Sequence, residues 1–92
     1  MEDLLISYDV ASDKRRRKLF KLLHRWGAPL QKSVFRCRVR DAGFARMRRE
    51  TEKLIDFETD SVLYVFLCGR CLERVIQAGR PLDVQTQDVK VI

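Results

Sequence analysis

Hydrophobic positions near the start of the chain change from a strand pattern to a helical one. Residues 4–10 form an almost continuous apolar run, which is typical of a strand covered on both faces. The following apolar residues recur every three or four positions, which predicts an amphipathic helix that begins at Ser12 or Asp13 and ends near Gly27. The apolar stripe of this helix consists of Leu19, Leu22, Leu23 and Trp26, with Phe20 at its edge.

The later segments continue this succession of strands and helices. Residues 30–40 alternate between apolar and basic side chains, so they form either one bent strand or a tight hairpin with a basic exposed face. Asp41 is placed to cap a second helix, SVLYVFL is the most strand-like segment, and RVIQA and VKVI predict two further short strands. The inward residues of 30–40 are Phe35, Cys37 and Val39, and the second helix carries Phe44, Met47, Thr51, Leu54 and Ile55.

This order of elements is that of the ferredoxin-like βαββαβ sandwich, an α+β fold, here with an extra C-terminal strand. A chain of 92 residues makes one domain, residues 1–92. The two helices cover one face of the antiparallel sheet, and the other face would expose β-branched and aromatic side chains to water. We therefore expect a homodimer in which the two sheets pack face to face.

The charge balance points to a polyanionic partner. The chain has 19 Lys and Arg residues against 13 Asp and Glu, a net charge of +6, which favours nucleic acid ahead of a membrane surface. No apolar run approaches the ~20 residues of a membrane span, and no segment reads as a signal peptide. We expect a cytoplasmic protein with no membrane partner, and three cysteines, an odd number, fit a reducing compartment.

Asp9 ends the first strand, and five consecutive basic residues follow it closely. Helical projection places Arg15 and Arg16 in the first turn of the apolar stripe, aimed at the strand end that carries Asp9. A structural ion pair explains this placement, and so does a bound phosphate, because cations oppose the helix dipole here unless an anion also binds. The outward face of the helix carries Lys14, Arg17, Lys18, Lys21 and Arg25.

One carboxylate per chain is a weak metal site by itself. Mg²⁺ commonly uses one or two carboxylates together with water and phosphate oxygens. A two-fold axis near Asp9 would supply a second carboxylate, and Mg²⁺, with Mn²⁺ as a substitute, would there polarise a phosphoryl oxygen and activate a water. His24 is the only histidine, and its position beside Lys21 and Arg25 predicts a surface role.

Three stretches together resemble a known family: YDVASDKRRRKLFKLLHRWG, then QKSVF, then LIDFETDSVLYVFLC with a second cysteine after it. In this order and spacing they are similar to the CRISPR-associated protein two family, the small non-integrase subunit of the spacer-acquisition complex. The resemblance runs from residue 4 to about residue 71. It implies a ferredoxin-like homodimer in which Asp9 of both subunits holds one divalent metal ion.

The resemblance also implies two activities in CRISPR adaptation. Members are described as metal-dependent endonucleases of single-stranded RNA or double-stranded DNA, which makes Asp9 the candidate catalytic residue. Members also act as a dimeric scaffold that bridges two dimers of the CRISPR integrase and holds the spacer duplex. We favour the scaffold, since it needs only charge and shape, and we expect weak nuclease activity. The predicted nucleic-acid-binding residues are Tyr8, Lys14, Arg15, Arg16, Arg17, Lys18, Lys21, Ser33 and Phe35.

Other interpretations stay open. A stand-alone, toxin-like metal-dependent endoribonuclease would use the same fold. An RNA-recognition domain shares the element order, although QKSVFRCRV lacks the aromatic-rich strand motif that stacks bases. Tyr8 and Phe35 either contact nucleic acid or belong to the rim and core of the sheet. Cys68 and Cys71 form a single CxxC, which elsewhere is half a zinc site or a redox pair, but without further ligands a turn is favoured.

Overall fold

A four-stranded antiparallel sheet forms the centre of the fold. The computed structural model describes residues 1–79 and 90–91. In spatial order, the strands of the sheet are β2 (Gly27–Gln31), β3 (Val34–Val39), β1 (Glu2–Asp9) and β4 (Ser61–Leu67). The connecting helices are α1 (Asp13–His24) and α2 (Asp41–Leu54). This element order and strand order confirm the predicted α+β, ferredoxin-like fold.

The chain continues beyond β4 with short elements. These are α3 (Gly69–Glu73), β5 (Ile76–Gln77) and β6 (Lys90–Val91). Strands β5 and β6 pair in parallel as a separate two-stranded sheet, so both short C-terminal strands predicted from RVIQA and VKVI are present. No helix in the described residues is long and apolar enough to cross a membrane.

Both long helices cover the same face of the sheet. Right-handed β–α–β crossovers place them there, and alternate residues of β1 and β3 point towards them. Ile6 lies opposite Phe35, and both side chains are fully buried. Met47 of α2 is fully buried in the same cluster. The other core residues on this face are Leu4, Tyr8, Val10, Leu19, Leu22, Leu23, Cys37 and Val39.

Residues 30–40 belong to a hairpin, which decides between the two predicted alternatives. Strand β2 begins at Gly27, earlier than predicted, because α1 already ends at His24. Gly27 permits a close approach to β3, since a Cβ there would lie 2.1 Å from the carbonyl oxygen of Arg36. Its role is therefore strand packing, and the helix ends before it, with Arg25 as the cap residue.

The two helix starts differ in how they are capped. Ser12 caps α1 as predicted, because its side chain accepts a hydrogen bond from the backbone N–H of Arg15 at 3.2 Å. The prediction that Asp41 caps α2 is wrong. The cap position is Arg40, which makes no side-chain cap hydrogen bond, and Asp41 is the first helical residue. An acid there still interacts favourably with the helix dipole.

The face of the sheet away from α1 and α2 is called the open face below. The register places Leu5 opposite Val65 and Ser7 opposite Leu63 on this face. Leu63 is 60% exposed and Val65 is 40% exposed. At one end of the face, Asp3 forms ion pairs with Arg36 and Arg38 at 3.6 and 3.8 Å. The apolar members of the open face are Leu5, Val34, Leu63, Val65 and Leu67.

Candidate nucleic-acid and metal site

Asp9 is an exposed residue at the end of the central strand β1. Its backbone pairs with Ser61 at the start of β4, so Asp9 lies at the end of the sheet where the β1–α1 loop begins. Within residues 1–79 and 90–91, no hydrogen bond or ion pair engages this carboxylate. Asp9 is therefore available to bind a cation or a ligand from solution.

Arg15 and Arg16, which were predicted to point towards Asp9, bind other groups. The guanidinium of Arg15 contacts Asp60, with Nε 2.8 Å from Oδ2. Arg16 pairs with Asp13 and donates a hydrogen bond to the carbonyl of Val10 at 3.1 Å. Of the two alternatives left open by the sequence, the ion pair with Asp9 is therefore not formed, and Arg15 is removed from the cations that are free to bind phosphate.

Asp60 is the centre of a buried hydrogen-bond network. Its carboxylate is fully buried and accepts hydrogen bonds from Nε and Nη2 of Arg15, at 2.8 and 3.2 Å. It also accepts hydrogen bonds from the backbone N–H groups of Ala11 and Asp56, at 3.0 and 2.9 Å, and from the hydroxyl of Thr59, at 3.1 Å. These bonds, that from Arg15 first, hold the pKa of Asp60 well below its usual range, against the opposing effect of burial.

The Asp60 network joins two loops at the end of the sheet that carries Asp9. Ala11 lies in the β1–α1 loop, two residues after Asp9, while Asp56 and Thr59 lie in the turn between α2 and β4. Asp60 was not among the site residues predicted from the sequence, although antiparallel pairing of β1 with β4 would have indicated its position. A residue just before β4 must lie beside the residues that follow β1.

Tyr8 holds the β2–β3 hairpin turn at this same end of the sheet. Its backbone N–H donates to the carbonyl of Ser33, and its hydroxyl donates to the carbonyl of Lys32, both at 3.0 Å. Only 4% of Tyr8 is exposed, and burial raises the pKa of its hydroxyl. The interpretation that Tyr8 closes the rim of the sheet is therefore the one that the structure supports.

Phe35 is a core residue in this structure. It is fully buried, its ring lies edge-on to Phe20 with centroids 5.2 Å apart, and it stacks against Tyr8 at 6.3 Å. A nucleobase cannot reach a ring in this position, so the prediction that Phe35 contacts nucleic acid directly is corrected. Its contribution is to pack beneath α1 and fix the helix to the sheet.

The outward face of α1 concentrates positive charge that no acid neutralises. In the part of the chain that the structure describes, none of its lysines and arginines forms an ion pair. Helix α2 differs, because Arg46 pairs with Glu50 at 3.0 Å and Arg48 pairs with Glu52 at 2.6 Å. We call the α1 surface the basic face; its members are Lys14, Arg17, Lys18, Lys21 and Arg25, all exposed.

The donors of one chain fit part of a magnesium site. No group of three or more His, Cys, Asp or Glu side chains gathers anywhere in the described residues. The exposed and unbonded carboxylate of Asp9 nevertheless fits one ligand position of a hard cation, which takes its remaining oxygens from water, phosphate or a second chain. The described residues of one chain therefore supply one of the ligands that such a site needs.

The fold and this site define a ferredoxin-like domain with an exposed carboxylate at a strand end and one basic helix face. Residues 2–75 match the family described as CRISPR associated protein Cas2, and the chain belongs to that family. It is 36% identical over 90 residues to a CRISPR-associated endoribonuclease Cas2 of Chloroflexus aurantiacus, covering 96% of this chain and 97% of the relative.

Two solved structures extend the comparison. The crystal structure of Streptococcus pyogenes Cas2 superposes with a TM-score of 0.70 and 34% identity, covering 78% of this chain and 92% of that one. A chain of a partial Cas6-RT-Cas1–Cas2 complex superposes with a TM-score of 0.65 and 25% identity, covering 80% and 87% of the two chains. These comparisons confirm the family resemblance that was inferred from the three sequence stretches.

Replacing Asp60 by Asn is expected to lower the free energy of unfolding and flatten its dependence on acidic pH. The folded-state pKa of Asp60 is depressed, so its stabilisation is present above the unfolded value, about 3.9, and is lost as pH falls below it. Urea unfolding of wild type and Asp60→Asn between about pH 3 and pH 7 measures the difference.

Glu58→Gln is the matched control for this experiment. Glu58 is an exposed carboxylate in the same turn, and its replacement should leave both stability and pH dependence close to those of wild type. An Asp60→Asn protein that loses stability on acidification as steeply as wild type would contradict the role given to the Asp60 network.

Proposed function

We propose that the chain acts in CRISPR adaptation as a dimeric scaffold that binds double-stranded DNA and an integrase. The basic face of α1 is the observation that carries this proposal, because its cations are exposed and no acid in the described residues is paired with them. Membership of the Cas2 family supports the setting. The similarity to a chain of a Cas1–Cas2-containing complex supports the choice of a Cas1-type integrase as partner.

The basic face suits the backbone of a duplex. Its members recur at helical spacing along α1, so they form one stripe of positive charge. Such a stripe binds phosphates without reading bases, and most of its affinity comes from the release of counterions. Binding of this kind accepts duplexes of any sequence, which is what a protein that handles diverse spacers requires.

The open face supplies the proposed dimer contact. Leu63 is 60% exposed, and burying such a side chain contributes on the order of 1 kcal/mol or more per chain. A second copy of the same sheet would cover Leu5, Leu63 and Val65 with identical apolar residues, as in a β-sandwich. The dimer would also repeat the basic face, which doubles the surface offered to DNA.

Metal-dependent cleavage of phosphodiester bonds, of single-stranded RNA or of DNA, is the second candidate function. Relatives named as endoribonucleases favour it, as does the unbonded carboxylate of Asp9, which would hold Mg²⁺ or Mn²⁺. When bound, the cation would supply Lewis-acid activation of the phosphodiester. Arg16, whose guanidinium lies on the β1–α1 loop, would orient the phosphate beside Asp9.

This cleavage is expected to be weak because none of the described residues near Asp9 is a suitable general base. Tyr8 adjoins Asp9, but its hydroxyl donates to the Lys32 carbonyl, and burial raises its pKa. His24 lies at the opposite end of α1 from the β1–α1 loop. A stand-alone toxin-like endoribonuclease would need better chemistry than these residues supply, so we prefer the scaffold.

Removing the charge of the basic face should weaken DNA binding equally for all sequences. In a variant with Lys14, Arg17, Lys18 and Lys21 replaced by Ala, the slope of log affinity against log salt should fall by up to about 3 to 4, since each phosphate contact contributes ~0.9. Fluorescence anisotropy with two unrelated duplexes across a salt series measures both effects.

A variant of α2 provides the matched control. Replacing Arg46, Arg48, Arg49 and Lys53 by Ala removes the same number of charges, but two of these arginines are paired with glutamates. It should change the slope much less. Equal slopes for the two variants would show that net charge alone governs binding and that the basic face is not the DNA surface.

Asp9→Asn separates the two candidate functions. The amide keeps the shape of the side chain but loses the charge that holds a cation, so any cleavage with Mg²⁺ or Mn²⁺ should be abolished. Dimerisation, duplex affinity and spacer integration with the integrase supplied should persist. The measurements are nuclease turnover and integration, with Asp41→Asn as control at the other end of the sheet.

The pattern of losses decides the outcome. Integration that disappears together with cleavage in Asp9→Asn would make Asp9 essential to the scaffold and overturn our preference. Cleavage that survives in Asp9→Asn would remove Asp9 from the nuclease site.

A further inference from the structure

The two cysteines at the end of β4 lie close enough to react with each other. Cys68 directly follows β4 and occupies the cap position of α3, and the first turn of α3 brings Cys71 back towards it. Their Sγ atoms are 3.3 Å apart, and both residues are exposed. The segment is the start of a helix and not the predicted turn, and it holds two thiols in contact at the surface.

The third cysteine, Cys37, is buried, in contrast to the exposed pair Cys68 and Cys71. Cys37 is only 1% exposed in the core, and burial raises the pKa of its thiol to about 12, which makes it unreactive. The pKa of the Cys68 thiol is instead lowered, first by the backbone N–H of Cys71 and then by the Cys71 side chain and the backbone N–H of Arg70. A lowered pKa increases the fraction of Cys68 that is present as the reactive thiolate.

A zinc site is less well supported than a dithiol. Structural zinc needs four ligands of the Cys and His type, and among the described residues no third donor joins this pair. Two thiols in contact need only a rotation of their side chains to reach the ~2.05 Å of a disulfide bond. Because both side chains are exposed, no packed core opposes that rotation.

We propose that Cys68 and Cys71 form a reversible intramolecular disulfide by thiol–disulfide exchange with small disulfides such as oxidised glutathione. The Cys68 thiolate attacks one sulfur of the small disulfide, breaks its S–S bond, and releases one thiolate. Cys71, after loss of its proton, attacks the Cys68 sulfur of this mixed disulfide and releases the second thiolate. Two protein thiols are oxidised and one small disulfide is reduced, and excess small thiol reverses both steps.

The disulfide would act on the part of the chain next to the proposed dimer surface. It would tie the start of α3 to the end of β4, the strand that carries Leu63 and Val65 on the open face. The proposal itself rests on the thiol pair alone and does not depend on the scaffold function, so either can fail without the other.

Equilibration of the full chain in buffers of varied reduced-to-oxidised glutathione ratio tests the proposal. After acid quench and alkylation, intact and peptide mass spectrometry should show one transition to a species lacking two hydrogens, with the bond between Cys68 and Cys71. Cys37→Ser should keep the same midpoint. Cys71→Ser should accumulate a glutathione adduct on Cys68, and Cys68→Ser should react more slowly.

Three results would overturn the proposal. The first is the absence of the internally bridged species at every glutathione ratio. The second is oxidation that yields only covalent dimers or lasting glutathione adducts in the wild type. The third is zinc that remains bound at one ion per two chains and protects both thiols from oxidation, which would identify a zinc site shared between copies.

Discussion

In the described part of the chain, α1 and α2 pack on one face of the sheet only, and the positions of the core and of the exposed apolar surface follow from this packing. Right-handed crossovers place α1 and α2 on the same side, so all the core residues of β1 and β3 point one way. The opposite face keeps exposed apolar side chains, with Leu63 and Val65 60% and 40% exposed. A chain of 92 residues can build only a small core, so a second copy on this face would add burial that one chain lacks.

The same arrangement gathers the candidate site at one end of the sheet. Three connections meet there: the β1–α1 loop, the β2–β3 turn and the turn between α2 and β4. Asp60 joins the first of these to the third, and Tyr8 holds the second, so the backbone around Asp9 is fixed from both sides. Asp9 itself makes no hydrogen bond or ion pair within the described residues, so its exposed carboxylate faces solvent.

Helices α1 and α2 differ in how far acidic side chains neutralise their basic residues. In α2, glutamates four residues downstream neutralise two of the arginines, and such exposed pairs add little to stability. In α1 the outward cations have no acidic partners among the described residues. The uncompensated charge of α1 therefore lies on its solvent-exposed face, at helical spacing.

Periodicity predicted the fold well because it depends on local pattern. The alternation of Phe35, Cys37 and Val39 correctly gave the buried face of β3, and the helical stripe correctly gave α1. The site was harder, since its contacts join residues far apart in sequence. The partner of Arg15 is Asp60, 45 positions away, and only the register of β1 with β4 reveals this.

Sedimentation equilibrium across micromolar concentrations measures whether the open face is a dimer surface. We expect that wild type is a dimer, that Leu63→Lys is a monomer, and that Phe57→Lys remains a dimer. Phe57 is a fair control because it is 70% exposed in the turn before β4 and lies outside the sheet. A wild-type chain that is monomeric at these concentrations, or a Leu63→Lys chain that dimerises as strongly as wild type, would contradict the account.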